Sequence, residues 1–186
     1  KKRLAVRAGR GAIKSTTGVD LALNETLNGS WTVPQGEVHF FAFISQNKSE
    51  AQQRLVQLEA RLAGLGLAYE RSGDQIVLTG TQRGFRVFAC TVGAVSGFRC
   101  FGFVADELAK WRSADSSANP AAEVIASVRA MTVTHPAARE FFVSSPWGQE
   151  DYHYRLVERG TTDEQHVAIA PTWVANPGLT EEQTRT

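Results

Sequence analysis

Methionine is nearly absent from this chain: the only one is Met131, so Lys1 is not a natural start and the sequence is expected to be a piece of a longer polypeptide. Cysteine is scarce too. Cys90 and Cys100 are too few for a disulfide framework and fit no metal spacing, so they read as reduced thiols of a cytosolic protein. The runs around them leave open that they face each other on neighbouring strands. Neither sign of charge dominates, with 20 Lys and Arg against 19 Asp and Glu, so no global basic field advertises a nucleic acid. No apolar run is long enough to cross a bilayer, and no signal peptide, repeat or low-complexity tract is visible. His39, His135, His153 and His166 lack ligand spacing and are read as structural or exposed rather than as a metal site. What remains is a 186-residue chain, 42% hydrophobic, with enough apolar residues for one sizeable core.

Three strand ends carry chemistry. Phe101-Gly102-Phe103-Val104-Ala105-Asp106-Glu107 is an apolar strand closing on adjacent carboxylates. Nucleotide hydrolysis uses such a pair, one carboxylate holding Mg²⁺ through its water shell and the other polarising the attacking water. The plain alternative is a strand end followed by an acidic helix start. Ala8-Gly9-Arg10-Gly11-Ala12-Ile13-Lys14-Ser15 lies between the apolar Leu4-Ala5-Val6 and a helical pattern. Strand, glycine-rich turn, Lys-Ser and helix is the layout of a phosphate cradle, with Lys14 reaching the β and γ oxygens and Ser15 a Mg²⁺ ligand. Ala8 and Ile13 stand where the template has glycines, and β-branched Ile13 opposes a tight wrap around phosphate. Glu140-Phe141-Phe142-Val143-Ser144-Ser145-Pro146 is a third buried-type strand, ending in two hydroxyls and a proline; alone it is a common strand-closing turn.

The rest of the chain alternates. Strands are expected at 4–7, 38–45, 75–79, 85–91, 101–105, 141–144 and 166–170, and helices at 14–27, 49–65, 107–111, 121–131 and 149–158. Leu55, Leu58, Leu62 and Leu65 make the helix from Ser49 the clearest. Residues 79–84 read as a hairpin between β-rich runs. The pattern predicts an α/β fold, a mostly parallel sheet with helices on both faces and one antiparallel excursion. Residues 113–120 are small and polar and read as a mobile loop.

Taken together, the three strand ends resemble the ATPase domain of phage DNA-packaging terminase large subunits. The carrying residues are Gly9-Arg10-Gly11 with Lys14-Ser15, then Val104-Ala105-Asp106-Glu107-Leu108-Ala109-Lys110-Trp111, then Ser144-Ser145-Pro146. Phe43-Ile44-Ser45-Gln46-Asn47 and Trp173-Val174-Ala175-Asn176-Pro177 are softer echoes. The resemblance implies a P-loop NTPase-type three-layer sandwich over residues 1–171, lacking upstream residues that help hold adenine, and an exit segment at 172–186 toward an absent nuclease domain. It implies ATP and Mg²⁺ as ligands, with Gly9, Arg10, Gly11, Ala12, Lys14 and Ser15 on the nucleotide and Ser15 and Asp106 on the metal. Glu107 would activate water, Arg99 would complete a neighbour's active site, and Ser144 and Ser145 would couple phosphate loss to movement. Its implied partners are double-stranded DNA, the portal protein, the terminase small subunit and further copies in a ring, in the host cytoplasm and with no membrane. Lys48, Arg71, Arg83 and Arg86 near loop tips are read as DNA contacts or, more plainly, as solvated charges. The alternative function is a nucleotide-binding fold without turnover serving as an assembly module, which Ile13 favours. A helicase-type ATPase fits less well, because Leu108-Ala109 replace the usual acidic continuation.

Overall fold

The computed structural model describes residues 1–9, 11, 14–91, 93–94, 97–112, 120–176 and 178–184. Its centre is an eight-stranded sheet, formed by β1 (Arg3–Ala8), β2 (His39–Ser45), β3 (Tyr69–Ser72), β4 (Gln75–Leu78), β5 (Arg83–Ala89), β6 (Cys100–Asp106), β7 (Arg139–Ser144) and β8 (Gln165–Ala170). Their order across the sheet is β3-β4-β5-β2-β6-β7-β1-β8. Pairings among β5, β2, β6, β7, β1 and β8 are parallel, whereas β3–β4 and β4–β5 are antiparallel. This is the expected α/β sandwich with its hairpin excursion.

Each face of the sheet is covered because its strands are apolar on both sides, the pattern of buried parallel strands. On one face α1 (Lys14–Asn28) and α2 (Lys48–Gly64) press Val19, Ala22, Leu55, Leu58 and Leu62 against Phe41, Phe43, Phe85 and Val104. On the other, α3 (Ala121–Met131) and α4 (Tyr152–Glu158) bring Val124, Ile125, Val128 and Leu156 onto Phe40, Ala42, Ile44, Phe103 and Phe142. Gly102 in β6 has no alternative: a Cβ there would lie 2.4 Å from the Phe41 ring. Short helices α5 (Thr172–Ala175) and α6 (Glu181–Thr184) follow β8. No described helix is long and apolar enough to cross a membrane.

Several local expectations change. Residues 107–111 form a 3₁₀ turn at Leu108–Lys110 rather than an α-helix. The helix expected from Gln149 begins at Tyr152, where the Asp151 carboxylate caps the Tyr154 amide. Cys90 and Cys100 do not face each other. Strand β2 separates their strands, and Cys90 follows the carboxyl end of β5 while Cys100 opens β6. The loop expected at 113–120 falls almost wholly outside the described residues.

The basic loop-tip residues are engaged within the chain. Arg83 donates to the carbonyls of Thr26, Gly29 and Trp31, closing the end of α1. Lys48 pairs with Asp74 at 3.1 Å, Arg71 with Glu59, and the Arg86 guanidinium sits 3.6 Å from the Phe98 ring centroid.

Three histidines are buried. His39 Nε2 lies 2.7 Å from the Glu37 carboxylate and its Nδ1 2.7 Å from His135 Nε2. Glu37, His39 and His135 thus form one hydrogen-bonded chain. Burial, with His39 alongside, pushes the His135 imidazole below its ordinary value, and burial does the same to His153 against the pull of the Val6 carbonyl. Unfolding then takes up protons in mild acid. This contribution is full above the unfolded value of about 6.5 and shrinks as pH falls below it toward the depressed values. Urea melts at about pH 7.5 and about pH 5.5 should show a lower midpoint at the acid value, with His153→Gln removing part of the drop. Equal midpoints would mean that the buried rings protonate freely.

Candidate active site

Strands β6, β7 and β1 are adjacent and parallel, and their carboxyl ends meet along one edge. Asp106 pairs in register with Val143, and Arg7 with Ser144. From β1 the chain passes β7 and β6 to reach β2, and from β7 it passes β1 in the other direction to reach β8, so the winding of the sheet reverses here. Open α/β sheets hold ligands in that crevice.

The sequence-expected residues converge there. Lys14, at the first turn of α1, is 7% exposed and donates to the Gly9 carbonyl at 2.8 Å, with the Glu107 carboxylate at 3.7 Å. Ser15 Oγ donates to Asp106 Oδ1 at 2.9 Å. Glu107 also pairs with Lys110 at 2.9 Å and accepts from the Ser145 amide at 3.3 Å. Ser144 Oγ accepts from the Ala109 amide and donates to the Ser145 carbonyl, tying the end of β7 to the turn behind Glu107. Gly9 and Gly11 lie on the loop, Gly11 with φ 74°. Arg10, Ala12 and Ile13 lie outside the described residues. Arg99 precedes β6 and so stands at the opposite sheet edge from Glu107, a full strand away; it cannot serve the site of its own chain.

Electrostatics set the carboxylates apart. Burial pushes the Asp106 carboxyl up, opposed by Arg54 and the Ser15 hydroxyl. Burial would do the same to Glu107, but Lys110, the Ser145 amide and Lys14 outweigh it and hold this carboxyl below its ordinary value. Glu107 is therefore an ionised carboxylate facing two ammonium groups. Burial lowers the Lys14 ammonium, and Glu107 pulls it back.

Glu107 is also the only non-glycine with positive φ among the described residues, at φ 51° and ψ 40°. That left-handed conformation costs an L-residue roughly 1–2 kcal/mol. Replacing Glu107 by Gly should therefore give a protein more stable than replacing it by Ala by about 1 kcal/mol, the reverse of the usual order, in urea denaturation. An Ala variant as stable as the Gly variant would show that the backbone is unstrained.

Sequence reasoning missed two side chains here. Arg54 Nε donates to Asp106 Oδ2 at 2.9 Å, and Trp111 Nε1 to the Asp106 carbonyl at 2.9 Å. Arg54 shares a helix face with Ala51 and Leu58 at i−3 and i+4, the one signal that it points inward.

Magnesium suits the donors present. It prefers hard oxygen ligands and keeps several waters. Here a carboxylate, Asp106, lies against a hydroxyl, Ser15. Two further buried hydroxyls, Ser45 Oγ at the end of β2 and Ser145 Oγ just past β7, have no hydrogen-bond partner among the described residues.

No protein-family model matches the chain, and no curated protein matches it in sequence. Solved structures do match in shape. The large terminase of a thermophilic bacteriophage, in complex with ADP, superposes with TM-score 0.72 at 13% identity over 100% of this chain. The ATPase domain of the Thermus phage P74-26 large terminase gives 0.69 at 14% identity over 95%. The bacteriophage HK97 large terminase gives 0.73 at 12% identity over 98%. The chain has the fold of a large-terminase ATPase domain. It spans 78% of the P74-26 domain, but only 44% and 41% of the other two terminases. In this terminase-type fold, the crevice described above is the carboxyl edge at which the loop after β1 meets Asp106 and Glu107.

Proposed function

We propose that the chain is the ATP-hydrolysing core of a phage DNA-packaging motor. One observation carries this reading: Lys14, Ser15, Asp106, Glu107 and Ser144 meet at the carboxyl ends of β1, β6 and β7 on a terminase ATPase fold. The ADP bound to one of the similar terminases supports nucleotide as the ligand.

In this reading Lys14 leaves the Gly9 carbonyl and Glu107 to meet the β and γ phosphates, joined by backbone N–H groups of the loop. Ser15 and Asp106 would hold Mg²⁺, whose charge would offset that of the phosphate oxygens. Glu107 orients a water and takes its proton as the water oxygen attacks the γ-phosphorus. The bond to the bridging oxygen breaks and ADP leaves with its electron pair. Arg99 of a neighbouring copy supplies positive charge to the same transition state, so turnover belongs to the assembled ring and the lone chain is nearly inactive. Ser144 and Ser145, bonded to the turn behind Glu107, relay phosphate loss to β7. Double-stranded DNA, the portal and the small subunit are the proposed partners, at the capsid in the host cytoplasm.

Isothermal calorimetry with ATP and Mg²⁺ tests the nucleotide step. Lys14→Ala should weaken ATP binding about tenfold or more, because a charge-assisted contact to phosphate is lost. Equal affinity in wild type and variant, or no ATP binding by the unmodified chain, would contradict the proposal.

A further inference from the structure

The cation position at Asp106 is taken by the protein itself. Arg54 Nε bonds Asp106 Oδ2 at 2.9 Å, and Ser15 Oγ bonds Oδ1 at 2.9 Å, so both carboxylate oxygens are occupied. The pair is deep: the side chains are 13% and 3% exposed. Gln57 Oε1 accepts from Arg54 Nη1 at 3.1 Å and steadies the guanidinium from the next turn of α2. A buried carboxylate without a counter-charge is costly, and Arg54 provides that charge from within the chain.

We propose that Arg54 is a resident counter-cation of the site, which a divalent ion must displace from Asp106 before the ion can bind. The inference rests on the nucleotide-site reading above and deepens it. A free divalent ion gains Asp106 only by stripping Arg54 of its partner. An ion that arrives bound to nucleotide brings phosphate oxygens to which the released guanidinium can turn. Arg54 thereby makes the site selective for the metal–nucleotide complex over the bare metal.

A second observation agrees. Ile44 pairs with Ala105, so the next residue, Ser45, ends β2 level with Asp106 and on its face of the sheet. Val143 pairs with Asp106 on the other side, and Ser145 follows just past the end of β7. The buried hydroxyl oxygens of Ser45 and Ser145 have no hydrogen-bond partner among the described residues. The water shell of a hydrated ion carries protons for such acceptors, and the guanidinium, already committed to Asp106 and Gln57, does not reach them.

The experiment is Mn²⁺ binding to the nucleotide-free chain, followed by electron paramagnetic resonance, with thermal melting in parallel. Arg54→Gln should bind Mn²⁺ about tenfold or more tightly than wild type, the weight of one charge-assisted hydrogen bond. Its melting temperature should fall without metal and recover with Mn²⁺, whereas the wild-type melt should barely respond. Adding Asp106→Asn to Arg54→Gln should abolish the gain. Arg54→Lys, which cannot keep both the Asp106 and Gln57 bonds, should show a smaller gain and decides the matter if the Gln variant does not fold. Unchanged Mn²⁺ affinity on removing the guanidinium, or a gain that survives Asp106→Asn, overturns the inference. Absence of ATP binding by the unmodified chain would defeat the proposed function while leaving the Mn²⁺ comparison intact.

Discussion

Glu107→Gln should cut the proposed ATP hydrolysis of the assembled ring about 10²–10⁴-fold, the usual weight of a positioned general base. It should not weaken ATP binding. In the nucleotide-free chain Glu107 lies 3.7 Å from Lys14 and 2.9 Å from Lys110. The neutral amide releases Lys14 from a competing carboxylate, so affinity measured by calorimetry should stay level or rise. Asp106→Asn should behave differently, weakening Mg²⁺-dependent binding, because Asp106 bonds Ser15 and lies where the ion would be held. Parallel losses of binding in both variants, with turnover lost only in proportion, would contradict the division of labour between the two carboxylates.

Trp111→Ala should be the most destabilising single change near the site, by about 3–5 kcal/mol in urea denaturation. The indole is fully buried in the core cluster with Leu108, and its N–H holds the Asp106 carbonyl at 2.9 Å. The substitution removes a large apolar volume and leaves that carbonyl without its indole donor. Trp111→Phe keeps most of the volume and loses the bond, so it should cost about 1–2 kcal/mol. Domain stabilities of about 5–15 kcal/mol make the Ala change a threat to folding itself. A loss below about 1 kcal/mol for Trp111→Ala would mean that the turn behind Glu107 repacks without the indole.

How much was legible in the sequence depended on the range of the interactions. The parallel strands read clearly because each is an apolar run with the chemistry at its end, which is why Lys14, Asp106 and Ser144 could be placed together before their geometry was known. Tyr69–Ser72 did not read as a strand, since Glu70 and Arg71 make it polar; it is the outermost strand, where charge guards an exposed edge. Arg54 was hidden because an arginine among Gln52, Gln53 and Gln57 looks solvated, and its partner is 52 residues away. The His39–His135 contact spans 96 residues and has no local signature either. The left-handed backbone at Glu107 goes with contacts of its carboxylate to Lys110, Lys14 and the Ser145 amide, the last 38 residues away, and no local propensity announces it.

The chain that leaves β8 runs straight back over the glycine loop that follows β1. The Gly9 amide donates to the Ala170 carbonyl at 3.3 Å, and a Cβ on Gly9 would collide with Thr172 Oγ1. Further on, Asn176 Nδ2 donates to the Gly11 carbonyl at 3.5 Å. Mechanically, the exit of the fold and the glycine loop after β1 are one linkage. The segment at 172–176 thus contacts the loop at both Gly9 and Gly11, so the positions of the two are coupled.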